Sequence, residues 1–380
     1  MKKIMIFNAH YLPGFMSGGI ARTIMNTAEW LGDNFDFHVV TKDRDLGDVA
    51  PYKNIKLGSW NRVGKSKVRY LSPSELGIFT LRKIINDENL DYLHLNSYYD
   101  LFFTFKILFL HRIGLLNVKK IIMSPRGEFV EGPLKIKYLK KITFISITKI
   151  LGMHRNLFWH ASLKLEAEGI AKVIGVPLED VKIAIDLPIH QNLIPRITKS
   201  KSNKILKVFF FSRITREKNL DGALKILSKV KTKLEFHIIG PKEDPIYWDE
   251  CNILIKKLPK NIIIVDRGTI DSNKIINTLS EYDLLFFPSH GENFAHVVAE
   301  TIAVGTKVLI TELPAWPNLQ SDGVGWNIPI DNIDGFIKII EDLSRQPPEE
   351  RSKDRAKVIN AAKKRLFNKE GLEENVNLYS

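Results

Sequence analysis

Arg213 and Lys218 stand five residues apart in Phe210-Phe-Ser-Arg-Ile-Thr-Arg-Glu-Lys-Asn-Leu-Asp221. Glu292 and Glu300 stand eight apart in Phe286-Phe-Pro-Ser-His-Gly-Glu-Asn-Phe-Ala-His-Val-Val-Ala-Glu300. In the first stretch a strand would deliver Arg213 at its end and Lys218 at the start of a helix running to Val230. Two cations at such a turn suit a leaving diphosphate, Arg as a fork and Lys as a point charge. In the second, a buried strand ends at Pro288, a loop carries Glu292, and a helix is expected from Phe294 to Ala303. The backbone N–H groups of Asn293, Phe294, Ala295 and His296 would then carry the partial positive charge of a helix N-terminus, which suits a diphosphate. Glu292 before the helix and Glu300 about two turns into it could line one pocket, and a carboxylate is a common partner for ribose hydroxyls. Either stretch alone is also what a helix entry with solvated charges looks like.

Both stretches need strands to aim them. Compact apolar runs at Ile4–Phe7, Phe37–Thr41, Tyr92–Leu95 and Lys120–Met123 read as strands, with a helix over Ile20–Leu31 opened by a Ser-Gly-Gly turn. The alternation restarts at Lys207–Phe211, Glu235–Ile239, Ile262–Val265, Leu284–Phe287 and Lys307–Ile310. Strands alternating with helices imply parallel sheets covered on both faces. The expected organisation is therefore α/β, with two Rossmann-like domains. They are an N-terminal one over 1–187, a proline-containing linker over 188–204 and a C-terminal one over 205–365, followed by a helical tail over 366–380. Two such domains would bind ligand in a cleft at their strand ends.

Composition narrows the function classes. With 380 residues, 44% of them hydrophobic and 26% charged, the chain has the balance of a two-domain globular protein. A single cysteine, Cys251, excludes an internal disulfide and a cysteine metal cluster and fits a reducing cytoplasm. No apolar run is long enough for a membrane span, and the N-terminus lacks a signal-peptide core. Histidines without common ligand spacing, and no evident Asp-x-Asp, lead us to expect no metal, and we expect no other cofactor. Asn8–Gly19 lacks the Gly-x-Gly-x-x-Gly of a dinucleotide oxidoreductase. The net charge of +13 is uneven: between Glu131 and Glu166 there is no acid, while Lys135, Lys137, Lys140, Lys141, Lys149, Arg155 and Lys164 all fall there. Such a field draws anions, and Leu134, Tyr138, Ile142 and Ile145 would share one face of an interfacial helix on an anionic membrane; the same face could equally pack into a core. The aromatics lie mostly inside apolar strands, so nucleic acid is not the expected partner.

Taken in order, these segments resemble the retaining glycosyltransferases of family 4, enzymes of GT-B fold with two Rossmann-like domains about a central cleft. That family carries an Arg and a Lys spaced as Arg213 and Lys218 are, then two glutamates spaced as Glu292 and Glu300 are. The likeness extends to Arg267-Gly-Thr-Ile270 and to Ala303-Val-Gly-Thr-Lys-Val-Leu-Ile310. Tyr11-Leu-Pro-Gly-Phe-Met-Ser-Gly-Gly-Ile-Ala-Arg22 resembles the family's glycine-rich first loop. Ser124-Pro-Arg-Gly-Glu128 resembles a segment of the subset that builds surface polysaccharides such as O-antigen, capsule or exopolysaccharide, while many other members carry a histidine where Arg126 falls. The resemblance implies transfer of a sugar from a UDP- or GDP-linked donor to a glycan or polyprenyl-diphosphate-linked acceptor, with retention of configuration. Arg213, Lys218 and the amides of Asn293, Phe294 and Ala295 would meet the diphosphate. Glu300 would meet the ribose, the backbone at Gly268 and Ile270 the base, and Glu292 a hydroxyl of the donor sugar. Gly18 and Gly19 would let the backbone approach the donor, and Arg22, Arg126 and Glu128 would lie on the acceptor side. The alternative implied by the same architecture is a nucleotide-sugar epimerase.

Overall fold

The computed structural model describes residues 1–14, 16, 18–135, 137–195 and 204–380. They divide into two compact units, Met1–Leu187 with Lys369–Ser380, and Pro188–Asn368. The expected linker, 188–204, falls partly outside the described residues. Its described part carries a 3-10 turn at Gln191–Leu193 and groups with the second unit.

The first unit is built on β1 (Lys2–Phe7), β2 (Phe35–Lys42), β3 (Trp60–Val63), β4 (Ser66–Leu71), β5 (Leu90–Asn96), β6 (Val118–Ser124), β7 (Leu157–Ala161) and β8 (Val181–Ile183). They form one sheet in the order β3-β4-β2-β1-β5-β6-β7-β8, with only β3 antiparallel to its neighbour. Helices α1 (Gly18–Leu31), α2 (Ile78–Asn86), α3 (Lys106–Arg112), α4 (Glu131–Lys135), α5 (Tyr138–Ile150) and α6 (Lys164–Ile170) connect them. Strands β3, β4 and β8 were not expected from sequence. Trp60-Asn-Arg-Val and Ser66-Lys-Val-Arg-Tyr-Leu interleave polar residues, so they lack the apolar run that marks a strand buried on both faces. Helix α1 begins at Gly18 rather than Ile20, with Gly18 in the left-handed region (φ 69°).

The second unit contains β9 (Leu206–Phe211), β10 (Leu234–Ile239), β11 (Ile262–Gly268), β12 (Leu284–Phe287), β13 (Lys307–Thr311) and β14 (Gly325–Ile328), all parallel, in the order β11-β10-β9-β12-β13-β14. Its helices are α7 (Leu220–Leu227), α8 (Pro245–Ile255), α9 (Ile275–Leu279), α10 (His296–Ala303), α11 (Ile333–Arg345) and α12 (Pro348–Leu366). The chain runs from β9 outward to β10 and β11, then returns to the other side of β9 at β12 (Leu284 opposite Val208). The loops after β9 and β12 thus diverge at a topological switch point, the place where open parallel sheets bind ligands.

The basic stretch departs from the expected geometry. The stretch 134–151 is not one helix: Lys137 adopts a left-handed backbone (φ 55°) and separates α4 from α5. Ile145 is buried and Leu134 and Ile142 pack against the core, so most of the face expected to meet a membrane faces the protein, while Tyr138 stays exposed. The tail is helical, as α13 (Lys369–Leu378), and it belongs to the first unit. Tyr379 is fully buried there, its ring 5.6 Å from Phe35 and 5.8 Å from Phe37 and Tyr92, its hydroxyl 2.8 Å from Nδ1 of His94. Removing a buried aromatic of this kind costs about 3–5 kcal/mol, so the tail is part of that unit's core.

Candidate active site

The loop after β9 and the loop after β12 are knitted to each other. The His290 N–H donates to the Glu217 carbonyl at 2.9 Å, and Nδ2 of Asn219 donates to the Pro288 carbonyl at 2.9 Å. Asn219 can turn the chain here because it tolerates the left-handed region (φ 60°), and its side chain also caps α7 through Gly222 N–H. Those bonds bring Lys218 to Glu292: Nζ lies 2.7 Å from Oε1, and the two side chains are only 9% and 14% exposed. Ser289 Oγ donates to the same Oε1 at 2.9 Å, while Thr311 Oγ1 holds the Ser289 carbonyl at 2.7 Å. The result is a mostly buried ion pair at the ends of β9 and β12. Such a pair is expensive to desolvate and is a weak stability device, but each partner offers a ligand something different: the ammonium can donate to phosphate oxygens, the carboxylate can accept from hydroxyls.

Arg213 stands at the same end of β9 but turns elsewhere, pairing with Glu243 at 2.7 Å and remaining about one-third exposed. The helix after Glu292 begins at His296, later than expected, because Ala295 takes a left-handed backbone (φ 60°, ψ 68°). Asn293, Phe294 and Ala295 therefore belong to the approach to α10 rather than to the helix itself. Phe294 is buried between the rings of His296 (4.9 Å) and Trp316 (5.4 Å), and the Trp316 indole N–H donates to the Phe294 carbonyl. Glu300 is the fifth residue of α10, little more than one turn in, and is buried. At the end of β11, Gly268 is left-handed (φ 60°) and its carbonyl accepts from Gly240 N–H at 2.8 Å; Ile270 follows, half-buried.

Several supporting residues escape a motif reading. Ser289 and Asn219 are ordinary polar residues whose role appears only once the two loops meet. Gly240 could have been suspected from Ile-Gly-Pro at a strand end: its φ is 138°, and a Cβ there would lie 1.8 Å from the Ser212 carbonyl oxygen.

In the first unit the expected residues are engaged differently. Gly18 and Gly19 open α1, with Arg22 a turn further, its Nη1 4.0 Å from the Met25 sulfur. Arg126 sits after β6 with a left-handed backbone (φ 56°); its Nη1 lies 2.9 Å from Oδ1 of Asp186 and its Nε donates to Asn96 at 2.9 Å. Both charged side chains of that pair are 6% exposed. Burial raises the Asp186 carboxyl, and Arg126 and Thr23 oppose it. Glu128 accepts from Ser97 Oγ at 2.6 Å and Tyr98 N–H at 2.5 Å, and burial pushes its carboxyl up to about 7 against those bonds. Behind them, Ser124 Oγ bridges Nε2 of His94 (2.7 Å) and Nδ1 of His160 (2.6 Å), both imidazoles pushed down by burial. An Asp-x-Asp is in fact present, at Asp43–Asp45, but both residues are buried. Asp43 pairs with Arg44 at 2.8 Å and Asp45 accepts from Met16 and Leu46 N–H, so they anchor the first loop. Among the described residues no three or more His, Cys, Asp or Glu are grouped to hold a metal ion, and no helix is long and apolar enough to cross a membrane.

Residues 194–365 match the family described as Glycosyl transferases group 1. A comparison with curated protein sequences found no match. Solved structures resemble the entire chain at low identity. One is HepE of Anabaena in complex with UDP and glucose: 14% identity, covering 100% of this chain and 98% of that one, TM-score 0.69. Another is sucrose-phosphate synthase of Thermosynechococcus elongatus: 13% identity, 100% and 97% covered, TM-score 0.70. A third is TarM of S. aureus in complex with Fondaparinux, alpha-GlcNAc-glycerol and UDP: 12% identity, 100% of both chains covered, TM-score 0.68.

Proposed function

We propose that the protein is a glycosyltransferase that moves a sugar from a nucleoside diphosphate to a glycan or polyprenyl-diphosphate-linked hydroxyl with retention, in cell-surface polysaccharide synthesis; residues 194–365 match the family described as Glycosyl transferases group 1, and the two parallel-sheet domains have the GT-B fold. The observation that carries the donor half of this reading is the buried Lys218–Glu292 pair at the switch point of the second sheet. The bond from the anomeric carbon to the diphosphate breaks, so negative charge grows on the phosphate oxygens, and catalysis needs fixed positive charge there. Lys218, Arg213 and the N–H groups leading into α10 supply it. Glu292 takes a hydroxyl of the donor sugar, Glu300 the ribose, and the backbone at Gly268 and Ile270 the base. The acceptor oxygen attacks the face the diphosphate leaves, and its proton goes to the departing phosphate oxygen. The UDP bound by HepE and TarM favours a UDP-linked donor. Gly18 and Gly19 would approach the donor from the first domain and Arg22 the acceptor, while Arg126, buried against Asp186, serves that domain's fold.

The test is release of UDP or GDP from a panel of nucleotide sugars, with and without oligosaccharide and polyprenyl-diphosphate acceptors. Acceptor-dependent release with an α- or β-product matching the donor supports the reading. An altered free sugar without acceptor would replace transfer by epimerisation. Activity is expected to survive excess EDTA, since the diphosphate is met by Lys, Arg and amides; loss restored by Mg²⁺ or Mn²⁺ would refute that part.

We also propose peripheral contact with an anionic membrane through the outer side of α5. Leu139 and Ile150 are 80% and 84% exposed there, with Lys137, Lys140 and Lys149 exposed beside them. Each such lysine near an anionic surface contributes about 1 kcal/mol. Co-sedimentation with phosphatidylglycerol vesicles should be lost in high salt and on changing these three lysines to Gln; binding indifferent to both overturns the contact.

A further inference from the structure

The approach to α10 contains a contradiction that something must hold in place. Ala295 carries a Cβ yet takes a left-handed backbone, a conformation that disfavours residues other than glycine, asparagine and aspartate and that an alanine keeps only where its surroundings hold it. The surroundings are an aromatic clamp. Trp316 is buried on the connection between β13 and β14, and its indole N–H donates to the carbonyl of Phe294, the residue immediately before Ala295. The Phe294 ring lies 5.4 Å from Trp316 and 4.9 Å from His296, which opens α10. The Arg365 guanidinium of α12 sits 5.5 Å from the indole ring centre and donates to the Pro317 carbonyl at 2.7 Å while pairing with Asp322. The indole is thus held both through its N–H and through its ring. What it fixes is the peptide that decides where α10 starts.

We propose that Trp316 is a positioning residue for the donor diphosphate: its N–H holds the Phe294 carbonyl, which keeps Ala295 left-handed and aims the first N–H groups of α10 at the phosphates. This rests on the donor-site reading above. Trp316 touches no substrate itself. A helix N-terminus binds an anion through the direction of its N–H groups, so loosening the peptide before it weakens contact with the phosphates and leaves contacts to the base and ribose alone.

The test compares nucleoside with nucleoside diphosphate. Trp316→Phe keeps an aromatic ring and removes the donor. By calorimetry it should lower affinity for UDP or GDP, whichever the wild type binds, about tenfold, while affinity for uridine or guanosine stays as in the wild type. Adding Ala295→Gly to that variant should recover part of the loss, because glycine takes the left-handed conformation without a Cβ penalty. A purely structural role would lower nucleoside and nucleotide affinity together and would not be rescued. Unchanged diphosphate affinity, equal losses for both ligands, or no rescue by glycine each overturn the proposal. Should Trp316→Phe fail to fold, Ala295→Val strains the same residue with the clamp intact and should give the same phosphate-selective loss; its absence overturns the proposal equally. A wild type that binds neither UDP nor GDP removes the donor site and this role with it, which separates failure of the reading from failure of the clamp.

Discussion

Two mostly buried ion pairs, Lys218–Glu292 in the second unit and Arg126–Asp186 in the first, look alike by distance and differ in what surrounds them. Lys218 and Glu292 come from two loops at a switch point, and those loops are also joined apart from the pair, by His290 N–H to the Glu217 carbonyl and by the Asn219 side chain to the Pro288 carbonyl. Arg126 and Asp186 are 60 residues apart, and the same pair draws in Asn96 and Thr23, so it ties the end of β5, the turn after β6 and helix α1 to the segment after β8. The first pair is supported by the fold. The second supports it. Charge burial alone therefore does not tell a working residue from a strut; the direction of support does.

That contrast can be broken by mutation. The largest effect is expected at the strut. Arg126→Ala leaves a buried carboxylate without its partner, so stability should fall by about 3–5 kcal/mol, read from urea unfolding. A drop in turnover with unchanged stability would reverse the assignment and return Arg126 to the acceptor. Next comes the switch point. Lys218→Ala and Arg213→Ala should each lower turnover about 100-fold or more through lost charge stabilisation. Their stabilities should differ: Arg213 is partly exposed and its loss should be silent, whereas Lys218→Ala strands Glu292. The double variant Lys218→Ala with Glu292→Ala should regain stability and stay inactive. If the double variant is no more stable than the single one, the loops do depend on the pair.

The most gradual effect, spread over more than two pH units, sharpens the comparison through pH. Burial raises the Glu128 carboxyl from an ordinary 4.5 to about 7 in the folded protein. Its contribution is fully present below about 4.5 and is lost as pH rises through 7, by at most about 1.4 kcal/mol per pH unit. Glu128→Gln should flatten the stability profile between pH 4.5 and 7; an unaltered slope would mean that Glu128 does not titrate there.

How far these features were legible depends on their range in the chain. Strands β9, β10, β12 and β13 fall within a residue or so of the apolar runs, since strands buried on both faces have nothing polar to blur them. The short, mixed β8 and β14 carry no such signal, and neither does the break at Lys137. The four charges of the donor side were readable by type and spacing, but the pairing was not: Lys218 meets Glu292 while Arg213 meets Glu243. The late start of α10 was invisible because it turns on an alanine in a glycine's conformation. Arg126 was noticed for its neighbours in sequence, and nothing in them points to Asp186.

The return of α13 to the first unit has a consequence for synthesis. Tyr379 fills the space against Phe35, Phe37 and Tyr92, yet the ribosome must add all of residues 188–368 before that side chain exists. At about 5–20 residues per second, the emerging first domain waits roughly ten to forty seconds with that apolar surface uncovered. It cannot complete its core as it emerges, so the second domain folds beside an unfinished partner. Expressed alone, residues 1–187 would keep the gap permanently.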